Sequence, residues 1–373
     1  MTLSLIFILI AVLYTGLIVA FTAGWMRLPI FWYKESSETP FSIIIPARNE
    51  QKHIMQLLIL LRNQHYPKNR YEVIVVDDHS TDATAAIVER KIASGFFTNV
   101  RLIKARDLTT KPGKKNALAL GIEMAKNNWI VTLDADVLLW THWLQSLAGF
   151  IEQEQPAMII GPVAMAPGKT IFSQMQALEF MSLAGSTAGA AAIGRPVMCN
   201  GANLAFRKDL FLQVGGYSGN EHLASGDDVF LLHKFKKLPG AKIPYMKSHG
   251  AIVYTRAVST VKEFLRQRGR WAGKTGSYRD AFTLLVGFVV ALMNLTIFAG
   301  ILVSPFISQK ALLGALLLLV FKALVDFPLL FSLSDYHRRR DLMWLYPALA
   351  LVYPFYVVAS LFAGFVIKPR WKS

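Results

Sequence analysis

An α/β fold with a mostly parallel sheet, joined to membrane-spanning helices, is what this 373-residue sequence predicts. Three observations carry the prediction. Apolar, β-branched strands alternate with helix-periodic segments between residues 41 and 133, the rhythm of a parallel sheet covered on both faces. Four long apolar runs lie outside that region, and acidic or amide residues recur where its strands end.

The apolar runs cover residues 3–24, 282–304, 311–333 and 342–367, each long enough to cross about 30 Å of hydrocarbon. They explain a composition that is 53% hydrophobic with a mean hydropathy of +0.38, more apolar than a soluble enzyme. Run 3–24 lacks a basic n-region, is too long for an h-region and shows no small-residue cleavage site, so residues 1–27 read as a retained anchor. Residues 28–281 form one polar block, large enough for a single core. Residues 282–373 hold the remaining three runs.

Basic residues set the orientation. Arg27 and Lys34 follow the first run, and Lys262, Arg266, Arg268, Arg270, Lys274 and Arg279 precede the second, which places the block and the loop 337–340 in the cytoplasm. The chain is thus expected to be an integral protein of a bacterial inner membrane or other cell membrane. Lys368, Arg370 and Lys372 conflict with this, since four spans would carry them outside; Pro347 and Pro354 would resolve it if the last run were bent or re-entrant. A net charge of +16 fits attraction to anionic lipid and phosphate. Nucleic acid is excluded as a partner, because the charge sits beside apolar runs and no recognition motif occurs. The single cysteine, Cys199, forbids an intrachain disulfide and reads as a small buried apolar residue.

Within the block, "FSIIIPARNE" is a strand running into a loop, residues 51–64 are helix-periodic, and "YEVIVVDDHSTDATAAIVERKI" repeats strand, polar tip and helix. "VRLIKA", a helix over 116–125 and a strand over 129–133 follow. Ligands of such sheets sit beyond the carboxyl ends of the strands, where Asn49, Asp77, Asp78, Asp134 and Asp136 fall. Residues two apart on a strand project to one side, so Asp134 and Asp136 crowd a single spot and raise each other's pKa unless a cation separates them. Their hard oxygens suit Mg²⁺ or Mn²⁺. A solvated turn is the alternative. Likewise "DDHSTD" could merely cap the next helix through Ser80 or Asp82, and Asp227 and Asp228 could merely complement a helix dipole. Lys114 and Lys115, in a loop expected to lead into a helix, could meet a pyrophosphate or simply face solvent.

In sequence order, "PARNE", "VVDDHSTDAT", "KPGKKNAL", "LDAD", "GDD" at 226–228 and "QRGRW" at 267–271 resemble the family 2 inverting glycosyltransferases. More narrowly they resemble the membrane-bound branch of cellulose, chitin and hyaluronan synthases and ceramide glucosyltransferase. The match covers residues 41–275, with Asp227-Asp228 where the family usually has Glu-Asp and a proline at position 112 of the lysine loop. The resemblance implies a GT-A fold, Rossmann-like, and a nucleotide-sugar donor, usually UDP-linked. It assigns the uracil and ribose to Ala47, Asn49, Glu50 and Asp78, the pyrophosphate to Lys114 and Arg270, and the metal to Asp136 with Asp134 beside it. Asp228 becomes the catalytic base, and Asp227, Gly201, Asn203, Gln267 and Trp271 the acceptor site.

Gln267, Arg270 and Trp271, at offsets of three and four, share one helical face. An interfacial helix with arginines at headgroups explains the same pattern. Lys322 and Asp326, four apart in the third apolar run, either pair with each other or meet an acceptor headgroup. A lipid acceptor is favoured over a glycan, because four short spans are too few to enclose a translocating polymer in one chain. A processive polysaccharide synthase is the alternative; a non-catalytic nucleotide-sugar-binding membrane subunit is the alternative of another class. Oligomeric state and donor sugar are not legible.

Overall fold

The computed structural model describes residues 2–33, 37–219, 226–303, 306 and 308–366. Lys34, Lys368, Arg370 and Lys372 lie outside the described residues. In chain order the elements are α1 (Thr2–Arg27), β1 (Phe41–Ala47), α2 (Ile54–Arg62), β2 (Tyr71–Asp77), α3 (Thr84–Ala93), β3 (Val100–Lys104), α4 (Lys114–Glu123) and β4 (Trp129–Thr132). Then come α5 (Trp143–Glu154), β5 (Met158–Ile160), β6 (Val163–Met165), α6 (Ile171–Ala192), β7 (Leu204–Arg207), α7 (Lys208–Gln213), α8 (Asp227–Phe235) and β8 (Val253–Thr255). The last helices are α9 (Val261–Ala272), α10 (Ala281–Val303), α11 (Gln309–Tyr336) and α12 (Tyr346–Val366). They divide into two compact units.

The first unit, Pro29–Ala166 with Met198–Arg256, is built on a sheet of order β3-β2-β1-β4-β7-β5. β1 lies parallel between β2 and β4, with Ile44 opposite Ile74 on one side and Thr132 on the other. All seven β1 residues are buried, as an apolar strand covered on both faces must be. β3 continues the parallel part, whereas β7 runs antiparallel to β4 and β5. Helix α2 turns Ile54, Leu57, Leu58 and Leu61 inward at the spacing of one helical face. Helix α4 sits so close to the sheet that a Cβ on Gly121 would meet Ile44 Cγ2 at 2.6 Å.

Three expected boundaries move, each for a local reason. α2 begins at Ile54 because residues 51–53 form a turn. α4 begins at Lys114, so Lys114 and Lys115 lie in its first turn and not in a preceding loop. Pro112 cannot extend a helix backward, and Gly113, at φ +152°, breaks the chain direction. β4 ends at Thr132, leaving Asp134 and Asp136 on the turn that follows.

The second unit comprises Met1–Leu28, Pro167–Val197 and Ala257–Lys368. Among its described residues are four helices long and apolar enough to cross a membrane, over Leu5–Arg27, Ala281–Val303, Gln309–Tyr336 and Arg340–Gly364. α12 continues as a helix through Pro354, and Pro347 occupies its first turn, where no helical N–H is needed. Glycines let the helices touch. A Cβ on Gly189 of α6 would lie 2.3 Å from the Phe21 carbonyl oxygen of α1, and one on Gly269 of α9 would lie 2.9 Å from Ala363 Cβ of α12. Lys322 Nζ lies 2.6 Å from Asp326 Oδ2, Tyr14 donates its hydroxyl to Asp326 Oδ1 at 2.7 Å, and the Tyr353 ring lies 4.5 Å from the ammonium. These charges pair, so the headgroup alternative is dropped.

Gly161→Ala tests the packing of the first unit, because the added Cβ would lie 2.4 Å from the buried Asn203 carboxamide. Overpacking should cost about 1–3 kcal/mol, read as a lowered thermal midpoint of the detergent-purified protein. Gly16→Ala, with nothing within 4 Å of its Cβ, should leave the midpoint in place.

Candidate active site

The loops after β1 and β2 are laced together. Asn49, in the left-handed region at φ 56°, accepts the Thr81 amide on its Oδ1 at 2.9 Å, and its own amide donates to Ser80 Oγ at 3.0 Å. The Glu50 amide donates to Thr84 Oγ1 at 2.8 Å, and the Glu50 carboxylate meets His53 Nδ1 at 3.1 Å. Burial pushes the Asp82 carboxyl up, but bonds from the Thr84 hydroxyl and from the Thr84 and Gln51 amides together outweigh it and hold the group below the usual range. Of the alternative in which Ser80 or Asp82 merely caps the next helix, only Asp82 takes part, accepting the Thr84 amide at the first turn of α3, whereas Ser80 serves the neighbouring loop.

Asp78 is fully buried at the end of β2. Its Oδ2 accepts the Gly113 amide at 2.9 Å and lies 3.6 Å from Arg48, and its Oδ1 faces His79 Nδ1 at 3.1 Å. It thus braces three loops. The Asp78 amide donates to the Ala47 carbonyl at 2.8 Å, so Ala47 contributes backbone. Asp77, equally buried, has no hydrogen bond to its carboxylate among the described residues; Arg106 lies 3.8 Å away.

Beyond β4 the burial alternates. Leu133, Ala135 and Val137 are buried, while Asp134 and Asp136 stay half-buried. Lys114 reaches across from α4 and pairs with Asp134. Burial alone would lower the pKa of this ammonium, but Asp134, Asp227 and Asp228 together raise it above the ordinary lysine value. Asp136 is pushed up by burial and then by the charge of Asp134, with His53 and Lys114 pulling it partly back.

Asp227 and Asp228 open α8 behind Gly226, whose φ of 95° suits glycine. Asp228 accepts the Val229 amide on Oδ1 at 2.8 Å and the Gly201 amide on Oδ2 at 3.0 Å. The Gly201 carbonyl in turn accepts from Thr132 Oγ1 at 2.8 Å, which ties the loop to β4. The buried Tyr217 phenol is driven well up, first by burial and then by Asp227 and Asp228. Lys114, Asp134, Asp136, Gly201, Asp227 and Asp228 therefore share one site.

Asn203 behaves differently. Its carboxamide donates to the Pro162 and Ala251 carbonyls at 2.9 and 3.0 Å and accepts from Trp143 Nε1 at 3.2 Å, so it braces the core and is not carried into a ligand site. Gln267, Arg270 and Trp271 lie on α9, in the second unit. His53 and Arg48 escaped the sequence reading, since an isolated histidine or arginine in a polar loop has no distinguishing pattern. Tyr217 escaped it for the same reason.

Residues 42–215 match the profile described as Glycosyl transferase family 2, and residues 129–365, more than half of the chain, match Glycosyl transferase family group 2. A probable glycosyltransferase of Bacillus subtilis, YdaM, is 28% identical over 251 residues, covering 65% of this chain and 56% of its own length. A beta-monoglucosyldiacylglycerol synthase of Nostoc is 26% identical over 263 residues, covering 69% and 54%. The chain thus spans about half the length of these curated relatives. Among solved structures, the mannosyltransferase PcManGT from Pyrobaculum calidifontis, in complex with GDP-Man and Mn²⁺, superposes with a TM-score of 0.63 at 18% identity, covering 97% of this chain and 99% of that one. That likeness is one of fold.

The raised Asp136 pKa makes a signed prediction. A carboxyl whose folded pKa lies above its unfolded value contributes stability only while protonated, and that contribution is lost as the pH rises through the folded pKa. Asp136→Asn should therefore raise the thermal midpoint in EDTA at neutral pH. The gain should vanish below the ordinary carboxylate range.

Proposed function

The chain belongs to the family 2 glycosyltransferases, and on that premise we propose that it moves a sugar from a nucleotide-sugar donor to a membrane lipid at a cytosolic membrane face, with inversion. The observation that carries this reading is the clustering of Lys114 with Asp134, Asp227 and Asp228 beyond β4. A cation among several acids can receive a diphosphate, and an acid beside it can take a proton. The resident anions fit a hard divalent ion. Asp134 and Asp136 offer oxygen ligands, and Asp136, pushed up first by burial and then by the charge of Asp134, is an anion that a cation would relieve. Mg²⁺ or Mn²⁺ is commonly held by one or two carboxylates together with substrate phosphate, a role open to Asp136 and Asp134. Such an ion supplies neutralisation of the charge that develops on the departing nucleoside diphosphate.

The chain's own groups do the rest. Asn49, Glu50 and Asp78 shape the edge where the base and ribose would rest, and Lys114 remains an ammonium beside the diphosphate. The acceptor hydroxyl attacks C1, the bond from C1 to the phosphate oxygen breaks with its electron pair leaving on the diphosphate, and the hydroxyl proton passes to Asp228. The amides of Val229 and Gly201 hold the Asp228 carboxylate so that each oxygen keeps a lone pair for that proton. Gln267 and Trp271 are assigned to the acceptor and Arg270 to the diphosphate. A lipid acceptor is supported by the four span-length apolar helices and by likeness to a glucosyldiacylglycerol synthase. The Q-x-x-R-W pattern at 267–271 favours a second reading, processive glycan synthesis, which product size separates.

The test is nucleoside diphosphate release by the purified protein in micelles with dioctanoylglycerol and, in turn, UDP-glucose, UDP-N-acetylglucosamine, UDP-galactose and GDP-mannose. One donor should be consumed, EDTA should stop it, and Asp228→Asn should lower turnover by about 10²–10⁴-fold. Release by no donor, or full activity of Asp228→Asn, defeats the reading. A ladder of long glycan defeats the lipid preference.

A further inference from the structure

The reaction as proposed leaves one buried ion pair unused. Arg268 Nη2 lies 2.5 Å from Glu179 Oε2, with the two side chains 2% and 3% exposed. Tyr356 donates its hydroxyl to the other Glu179 oxygen at 2.9 Å, so the cluster ties α9 to α6 and α12. Burying two charges costs desolvation that a hydrophobic pair would not, and Arg268 Nε also lacks a partner among the described residues. Such a pair is poor value as mere glue. Its remaining contacts have a different character: Arg268 Nη1 donates to Gln267 Oε1 at 3.0 Å, and the guanidinium lies 4.1 Å from the Trp271 ring and 4.8 Å from the Phe264 ring.

We propose that Arg268, anchored by Glu179, is a positioning residue that fixes the polarity of Gln267 and the exposed side of Trp271 for a hydroxylated acceptor head. With its carbonyl oxygen turned to Arg268, the Gln267 carboxamide presents only N–H donors outward, and it therefore selects hydroxyl or ether oxygens. With a guanidinium across the Trp271 ring, contact with an acceptor is confined to the uncovered side. The identification of the ligand rests on the functional reading above; the positioning does not. Helix α9 has independent supports. Gln176 of α6 exchanges two hydrogen bonds with the Val258 backbone at 3.0 and 3.1 Å, Thr260 and Glu263 form a capping box, and Gly269 and Gly273 pack on α12. Loss of the ion pair should thus disturb two side chains and spare the helix.

Removing one partner would strand a buried charge, and removing Glu179 alone would also strand the Tyr356 hydroxyl, so the decisive variant is the double replacement Arg268→Met with Glu179→Leu made in a Tyr356→Phe parent protein, which leaves an apolar cluster. Its thermal midpoint should stay near that of the parent protein. With UDP-glucose and dioctanoylglycerol, the acceptor KM should rise about tenfold, the loss of one hydrogen bond, while the donor KM holds. Acrylamide quenching of Trp271, read as the difference from the same protein carrying Trp271→Phe, should increase. Arg268→Lys, which keeps the charge but lacks the planar fork, should show the same acceptor defect. Unchanged acceptor KM and unchanged quenching in a folded double variant would overturn the proposal and leave the pair purely structural. If the parent protein turns over no donor, the functional reading fails, and the quenching comparison still decides the positioning.

Discussion

Carboxylates gathered at one edge of a parallel sheet are the constraint on which the site depends. Parallel strands deliver all their carboxyl ends to the same edge, so Asp77 and Asp78 from β2 and Asp134 and Asp136 after β4 arrive there together, and α8 adds Asp227 and Asp228. Such a concentration is unfavourable unless positive charge intervenes. Lys114 answers part of it, and the backbone amides of Gly113, Gly201 and Val229 answer more. Asp136 is left with its pKa raised, an anion that the folded chain holds at a cost. Stability given up in this way returns when a cationic ligand binds the native state alone.

Around this edge the loops are set before any ligand arrives. Asn49 and His79 both adopt the left-handed conformation, and the first is held there by bonds to Ser80 and Thr81. Asp78 is bonded on both oxygens and cannot swing freely. Preorganised donors and charges of this kind act without reorganising at the moment of reaction. The same economy operates on α9, where Arg268 takes the oxygen of Gln267 and lies over Trp271.

The two units are packed by different physics. The sheet unit buries large side chains such as Phe41, Trp143 and Phe206 against strands, where removal of apolar surface from water drives assembly. The helical unit relies on close helix approach at Gly24, Gly185, Gly189 and Gly269, where an added Cβ would lie 2.3–2.9 Å from the facing helix. Two charge pairs lie inside it, Lys322 with Asp326 and Arg268 with Glu179.

Periodicity and motif order made the βαβ rhythm, the four apolar helices and the acids at the strand ends legible, because each depends on local spacing: two residues along a strand, three to four along a helix, twenty across a bilayer. Even so, near-neighbour patterns misplaced the start of α4 and the end of β4, where Gly113 and the sheet register override propensity. The tertiary structure alone decided that Asn203 braces the core, that His53 and Tyr217 border the acids, and that Arg268, which the sequence presents as one more juxtamembrane cation, is buried against Glu179. Those outcomes join residues 89 positions apart in one case and 27 in another, as Gly201 meets Asp228. Contacts at such separations are set by how helices and sheet pack, and no pattern along the chain encodes which partner a charge will find.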